Sequence, residues 1–360
     1  RQMCIRDSCR FSYFCNYGLN VRERQRAEIN PMQYGTIVHY ILERFFGEYT
    51  KEEYLSLEED KFQKIVCAYL AEYAVKYFGE EQLESNSFTY RLKTILDNVM
   101  YLMKHIMEEL SQSEFFVADC ELKIGEDIPS YTIVLPDGHK IAVCGSVDRV
   151  DIMQRADITY LRIIDYKTGT KQFKLSDILY GINLQMLLYL HSIEASGGDK
   201  YGEIVPAGIL YMPATVPYIS SDSLKSIDKL PDELNKKLKM NGLLLKDTEI
   251  IHGMDKTDAA TYIPVKIKAG EPVSSTSLAT LAEFGKIFKK VDMLIAEMGK
   301  NIYNGNIEAK PLKGGHDSCE YCPYDSVCAY RQSNPITCFS VDNKTVIEEI
   351  TNEINGKEEE

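Results

Sequence analysis

Two short stretches carry residue types that can do chemistry together. They are Gly145-Ser-Val-Asp148-Arg-Val-Asp151 and Ile163-Ile-Asp165-Tyr-Lys167-Thr-Gly169. Both are rich in β-branched and aromatic residues punctuated by Gly and Asp, the signature of strands. Side chains alternate faces along a strand, so Asp165 and Lys167 point one way while Ile164 and Tyr166 point the other. If the two strands pair, Asp148 comes to lie beside Asp165, and two carboxylates meet one lysine. Hard divalent cations such as Mg²⁺ take oxygen ligands and keep several waters. A lysine beside such an ion can orient an attacking water and offset charge on a phosphate, which outlines metal-dependent phosphodiester hydrolysis. Taken singly, such a stretch is far more often a solvated strand edge or a surface ion pair, since matches this short are common by chance.

Other elements must deliver and support these residues. Tyr34-Gly-Thr-Ile-Val-His39-Tyr-Ile-Leu-Glu43-Arg-Phe-Phe46 has helical apolar spacing through Ile37, Tyr40, Ile41 and Phe45. His39 and Glu43 lie one turn apart and can face one site. Helical periodicity over 52–79 and 88–112 predicts scaffold helices. From Phe115 the period becomes two, predicting a strand over 116–124 that carries Glu121. Strands over 131–135 and 140–151 are joined by the turn Pro136-Asp-Gly138, and another follows over 159–167. A helix over 175–192 sets Gln185 and Tyr189 four residues apart, on one face. A strand over 205–213 precedes a polar, Lys-rich stretch, 214–278, containing Lys236-Lys-Leu-Lys-Met-Asn-Gly242. This stretch reads as an irregular insertion with a solvated basic face. A long helix over 276–301 follows, and residues 333–360 read as a polar acidic tail with a short helix at 346–354.

The 360 residues, 44% hydrophobic and 26% charged, have the composition of a soluble globular protein. No apolar run of the ~18 residues needed to span a membrane occurs, and no signal peptide opens the chain. The expectation is a cytoplasmic protein without membrane contact. A net charge of −13 argues against a generally basic nucleic-acid binder but leaves room for a local basic groove. Residues 1–8 fit no pattern and stay unassigned; the chain does not begin with Met, which suggests an internal fragment or a non-native start. No G-x-x-x-x-G-K-(S/T) loop occurs, so no ATP motor is expected in this chain.

Ten cysteines in such a chain suggest metal or cluster ligands before disulfides. Cys319-Glu-Tyr-Cys322-Pro-Tyr-Asp-Ser-Val-Cys328 offers three thiolates and leaves a four-coordinate site one ligand short. Both zinc and a [4Fe–4S] cluster fit that pattern.

These pieces occur in a telling order: Cys9-Arg-Phe-Ser-Tyr-Phe-Cys15-Asn-Tyr-Gly-Leu19, G-T-x-x-H, G-x-x-D-R-x-D, D-Y-K-T-G, Q-x-x-x-Y, P-A-G-I-L-Y, K-M-N-G-L and C-x₂-C-x₅-C. Residues 9–332 thereby resemble the RecB-type PD-(D/E)xK nuclease domain of the AddB family of bacterial helicase–nuclease proteins, with Arg10 in place of a usual proline. The resemblance implies an α/β, restriction-endonuclease-like core of mixed β-sheet flanked by helices, with a helical N-terminal part and a C-terminal cysteine-rich cluster loop. It implies a Mg²⁺-dependent DNA exonuclease acting in double-strand-break end processing, with an AddA-like helicase–nuclease as heterodimer partner. Asp148 and Asp165 would bind Mg²⁺, helped by His39 and the Tyr166 backbone carbonyl. Lys167 would orient the water, Gln185 and Tyr189 would position the strand, and Glu121 matches the acidic residue of the first core strand. Cys9 would join Cys319, Cys322 and Cys328 in a [4Fe–4S] cluster stapling the domain's two ends, with Cys4 and Cys15 as weaker candidates. Two other readings share many of these motifs. One is a stand-alone iron–sulfur exonuclease of the CRISPR-adaptation type; the other is a non-catalytic DNA-binding module with a structural metal cluster.

Overall fold

The computed structural model describes residues 9–21, 31–79, 85–169, 172–216, 230–274, 276–315, 317–320, 322–328, 330 and 335–358. The unassigned residues 1–8, with Cys4, and residues 359–360 of the tail lie outside this set. After a short helical stretch, Arg10–Tyr13 continued by the π-turn Phe14–Gly18, come helices α1 (Pro31–Glu48), α2 (Lys51–Leu55), α3 (Glu59–Phe78) and α4 (Asn86–Ser111). In α1 the spacing of Ile37, Val38, Ile41, Leu42 and Phe45 makes one stripe, and all five are buried. The scaffold helix expected over 52–79 is broken into two: the Thr50–Glu53 capping box starts α2, and α2 ends at its C-cap, Ser56, whose hydroxyl donates to Glu53 O at 2.8 Å.

Strands β1 (Phe116–Ile124), β2 (Tyr131–Val134), β3 (Lys140–Val143), β4 (Gly145–Arg155) and β5 (Ile158–Lys167) follow. β2 and β3 form the expected hairpin, closed by Leu135 N–H donating to His139 O at 2.8 Å. The strand expected over 140–151 is instead two, because its first part pairs with β2 and its second with β1. The helix expected over 175–192 resolves into a 3₁₀ segment, Leu175–Tyr180, and α5 (Gln185–Ser196). β6 (Glu203–Pro213) returns parallel to β5.

The stretch 214–278 is less irregular than expected. It supplies α6 (Leu230–Leu238), β7 (Asn241–Leu245), α7 (Thr248–Met254), the small hairpin β8 (Lys266–Lys268) and β9 (Glu271–Val273), and β10 (Leu278–Ala279). One mixed sheet of order β1-β4-β5-β6-β7-β10 therefore runs through the molecule. Leu243, Leu244 and Leu245 are buried in it, which is why an otherwise polar stretch extends the sheet. The last long helix, α8 (Leu281–Tyr303), begins later than expected because Thr280 caps it, with Glu283 closing the capping box.

The C-terminal segment is docked, in contrast to the polar tail expected there. After the short strands β11 (Leu312–Gly314) and β12 (Ile336–Cys338), α9 (Asn343–Glu358) buries Val346, Ile350 and Ile354. Its Glu353 pairs with Lys290 of α8. Apolar residues four apart are enough to hold an otherwise acidic helix on the core. No helix among the described residues is long and apolar enough to cross a membrane.

Candidate active site

The register of three adjacent strands builds the site. β4 and β5 run antiparallel with Arg149 opposite Ile164, so the next rung sets Asp148 beside Asp165. On the other side Cys120 pairs with Arg149 and Leu122 with Val147, which brackets Glu121 opposite Asp148. Glu121 itself takes a left-handed backbone, φ 52°, inside an otherwise extended strand.

α1 brings His39 down onto this row. Its Nδ1 lies 2.8 Å from Glu121 Oε1, and its Nε2 lies 3.6 Å from Asp148 Oδ2. Ser146 donates to Glu121 Oε2 at 2.8 Å, and the Tyr166 N–H donates to Asp148 Oδ2 at 3.0 Å. Ligand atoms of His39, Glu121 and Asp148 all fall within 4.8 Å of one another. Asp165 stands outside that trio. Its Oδ2 is ion-paired with Lys167 but buried without a well-aligned hydrogen bond. The Lys167 ammonium sits 5.3 Å from the centroid of the Tyr211 ring. Glu43, one turn from His39, is exposed and does not join the group.

The electrostatics follow from crowding acids out of water. Burial, then the Asp165 charge, pushes the Asp148 carboxyl up to about 7 against the pull of His39. Burial alone would lower the His39 imidazole; its hydrogen bond to Glu121 and the Asp148 charge outweigh that and raise it. Burial would raise Glu121, but hydrogen bonds from His39 and Ser146 hold it below the ordinary carboxylate range. The trio thus offers two carboxylates and an imidazole around excess negative charge. A divalent cation fits such a donor set.

Gln185 and Tyr189 lie on α5, with Gln185 Nε2 3.4 Å from the Tyr189 hydroxyl. That hydroxyl packs against Gly145, where a Cβ would stand 2.2 Å from it. Gly145 is therefore needed for close approach, and it ties the Q-x-x-x-Y helix to the strand that carries Asp148.

The expected iron–sulfur cluster and its cluster loop require correction. Cys9, Cys319, Cys322 and Cys328 line one cavity of about 50 Å³ and form no disulfide. Among the described residues, only His39, Glu121 and Asp148 form a group in which three or more His, Cys, Asp or Glu ligand atoms converge. Spacing along the chain brought the cysteines near one another without making a shared ligand point. Burial pushes the Cys319 and Cys15 thiols up. The domain's two ends still meet there, since the Tyr324 hydroxyl donates to Val21 O at 2.8 Å.

A charged group that sequence reasoning missed lies beside the site. Arg149, Asp151, Arg162 and Glu109 are all fully buried. Arg149 contacts both Asp151 oxygens at 2.6 Å, and Arg162 reaches Asp151 at 3.0 Å and Glu109 at 2.5 Å. The guanidinium of Arg162 lies 4.9 Å from the Phe115 ring centroid. Strand alternation was the available signal: it turns Arg149 and Asp151 away from the face that carries Asp148.

The fold and this row of acids with a lysine define a class of protein. The profile of the PD-(D/E)XK nuclease superfamily matches residues 7–329, and the chain belongs to that superfamily. Within it, the chain is similar to proteins named as the B-type component of an ATP-dependent helicase/deoxyribonuclease. It is 34% identical over 335 residues to the one from Thermoanaerobacter sp. (strain X514), covering 90% of this chain and 29% of that protein. To the one from Alkaliphilus oremlandii (strain OhILAs) it is 32% identical over 362 residues, 96% of this chain and 31% of the relative. To that from Clostridium kluyveri (strain NBRC 12016) it is 34% identical over 369 residues, 98% and 32% respectively. The chain thus spans about a third of the length of these relatives.

Proposed function

We propose that this chain is a Mg²⁺-dependent deoxyribonuclease domain that hydrolyses phosphodiester bonds from DNA ends. The observation that carries the reading is the meeting of His39, Glu121 and Asp148 beside the Asp165–Lys167 pair. Glu121 and Asp148, with His39, would hold the ion, and Asp165, whose Oδ2 pairs with Lys167, would keep that lysine beside it. The bound ion would supply Lewis acidity toward the phosphoryl oxygen and lower the pKa of a bound water. Lys167 contributes a fixed positive charge and hydrogen-bond donors where charge builds on the phosphate. Gln185 and Tyr189, tied to β4 through Gly145, position the strand.

By similarity to these helicase/deoxyribonuclease relatives, the domain works in a helicase–nuclease heterodimer with an AddA-like partner. Its role there is processing double-strand-break ends for recombination in the bacterial cytoplasm. Release of label from end-labelled single-stranded DNA, strictly dependent on Mg²⁺, tests the reading.

A pH dependence follows. Metal binding requires Asp148 ionised, so affinity for Mg²⁺ or Mn²⁺ falls as pH drops below about 7, by about tenfold per unit while one proton is displaced. Without metal, the folded state holds this proton more tightly than the unfolded chain does. Stability of the metal-free protein therefore declines as pH rises from the ordinary carboxylate range toward about 7. Calorimetric titration of Mn²⁺ at pH 6 and pH 8 checks the first effect, and an Asp148→Asn variant should lose most of the affinity and the share of the pH dependence that Asp148 contributes, leaving that of His39.

A further inference from the structure

The Lys-Met-Asn-Gly segment, residues 239–242, has no part in the site described so far, yet each of its side chains is committed inward. The Lys239 ammonium donates to Ala260 O at 2.6 Å and Val265 O at 3.2 Å, so it caps carbonyls and does not present a basic face. Met240 is buried. Gly242 is where β7 crowds β6, because a Cβ there would stand 2.0 Å from Ile209 O. Asn241 Oδ1 accepts the Phe173 N–H at 2.7 Å, across 68 residues of chain.

That bond matters because of where Phe173 lies. It belongs to the connection that leaves Lys167 and enters the 3₁₀ segment at Leu175. Sheet register puts Asp165 opposite Tyr211 and Tyr211 opposite Asn241, so the three lie along one line across β5, β6 and β7. Tyr211 is shared: Lys167 sits over its ring, and the Phe173 ring centroid is 6.5 Å from it. The Lys167 backbone is held separately, by Ala214 N–H donating to Lys167 O at 2.8 Å. Asn241 holds the backbone of Phe173.

We propose that Asn241 is a positioning residue for Lys167: by holding the Phe173 amide it keeps the Phe173 ring against Tyr211, over whose ring the Lys167 ammonium sits, and thereby sets where the ammonium meets the phosphate. This rests on the nuclease reading above. Misplacement of a catalytic group by about 1 Å can cost ~10²-fold in rate.

The test compares wild type, Asn241→Ala and Asn241→Asp on end-labelled single-stranded DNA, with amide hydrogen exchange at Phe173 measured on the same proteins. Asn241→Ala should lower kcat by about 10- to 100-fold, with KM and the Mg²⁺ half-saturation unchanged, since the trio at the metal lies on other elements. Its Phe173 amide should exchange about tenfold faster or more. Asn241→Asp keeps the acceptor oxygen and should restore both readouts. Wild-type kcat in Asn241→Ala, an Asp variant as impaired as the Ala variant, or unchanged Phe173 exchange would each overturn the proposal while leaving the nuclease reading intact. A folded wild type that cleaves nothing with Mg²⁺ would overturn the nuclease reading, and this role with it.

Discussion

Lys167→Ala is expected to cut DNA cleavage by about 10² to 10³-fold, equivalent to ~2.7–4 kcal/mol of transition-state stabilisation. The expectation comes from geometry. Lys167 is the cation paired with Asp165, it sits against the Tyr211 ring, and its backbone carbonyl is held by Ala214. The lysine is outside the His39–Glu121–Asp148 trio, so affinity for the divalent ion should stay close to wild type. The loss should fall on kcat with little change in KM, the mark of an interaction made in the transition state. Lys167→Arg should not rescue fully, because a planar guanidinium cannot present the same compact charge. Steady-state kinetics on end-labelled DNA, with Mn²⁺ binding measured in parallel, checks both parts.

The second large effect is on stability. Arg162→Met should destabilise the fold by about 3–5 kcal/mol, because it leaves buried Glu109 and Asp151 short of a positive partner. Set against a typical total of ~5–15 kcal/mol, that is a large share. All four members of the cluster are fully buried, so water cannot take over the lost contacts. Urea unfolding monitored by circular dichroism measures it. A compensated variant in which all four residues become apolar and of similar volume should recover much of the loss, since buried ion pairs are costly to break yet often replaceable. Acid should act in the same direction. Burial would raise Asp151, but Arg149 and Arg162 outweigh it and hold its carboxyl low. Its contribution is therefore present above the ordinary carboxylate range and lost as pH falls through the lowered value.

The parts of the site that were legible in the sequence are those set by short-range periodicity. Alternation placed Asp165 and Lys167 on one face, and pairing of β4 with β5 then brought Asp148 alongside, as the strand reading anticipated. Helical spacing put His39 on a buried-faced helix. What the sequence hid depends on long-range partners. Glu109 reaches Arg162 from 53 residues away, and nothing local in α4 marks an acid in its apolar stripe as the counter-ion of a strand. Asn241 was visible as part of a motif, but its partner at Phe173 was not. Glu121 proved closer to His39 and Asp148 than Asp165 is, because its left-handed backbone in β1 re-aims it, a detail no spacing encodes. The cysteines show the converse error: C-x₂-C-x₅-C spacing suggested convergence, and the thiols share a cavity without sharing a ligand point.

The most direct test of the central claim is cleavage of end-labelled single-stranded DNA by EDTA-stripped protein, before and after Mg²⁺ is restored, with Asp148→Asn run alongside. The account predicts no label released without metal, saturable release with Mg²⁺, and release by Asp148→Asn reduced by about 10²-fold or more. Cleavage that persists in EDTA, or an Asp148→Asn protein that cuts at the wild-type rate, would contradict it.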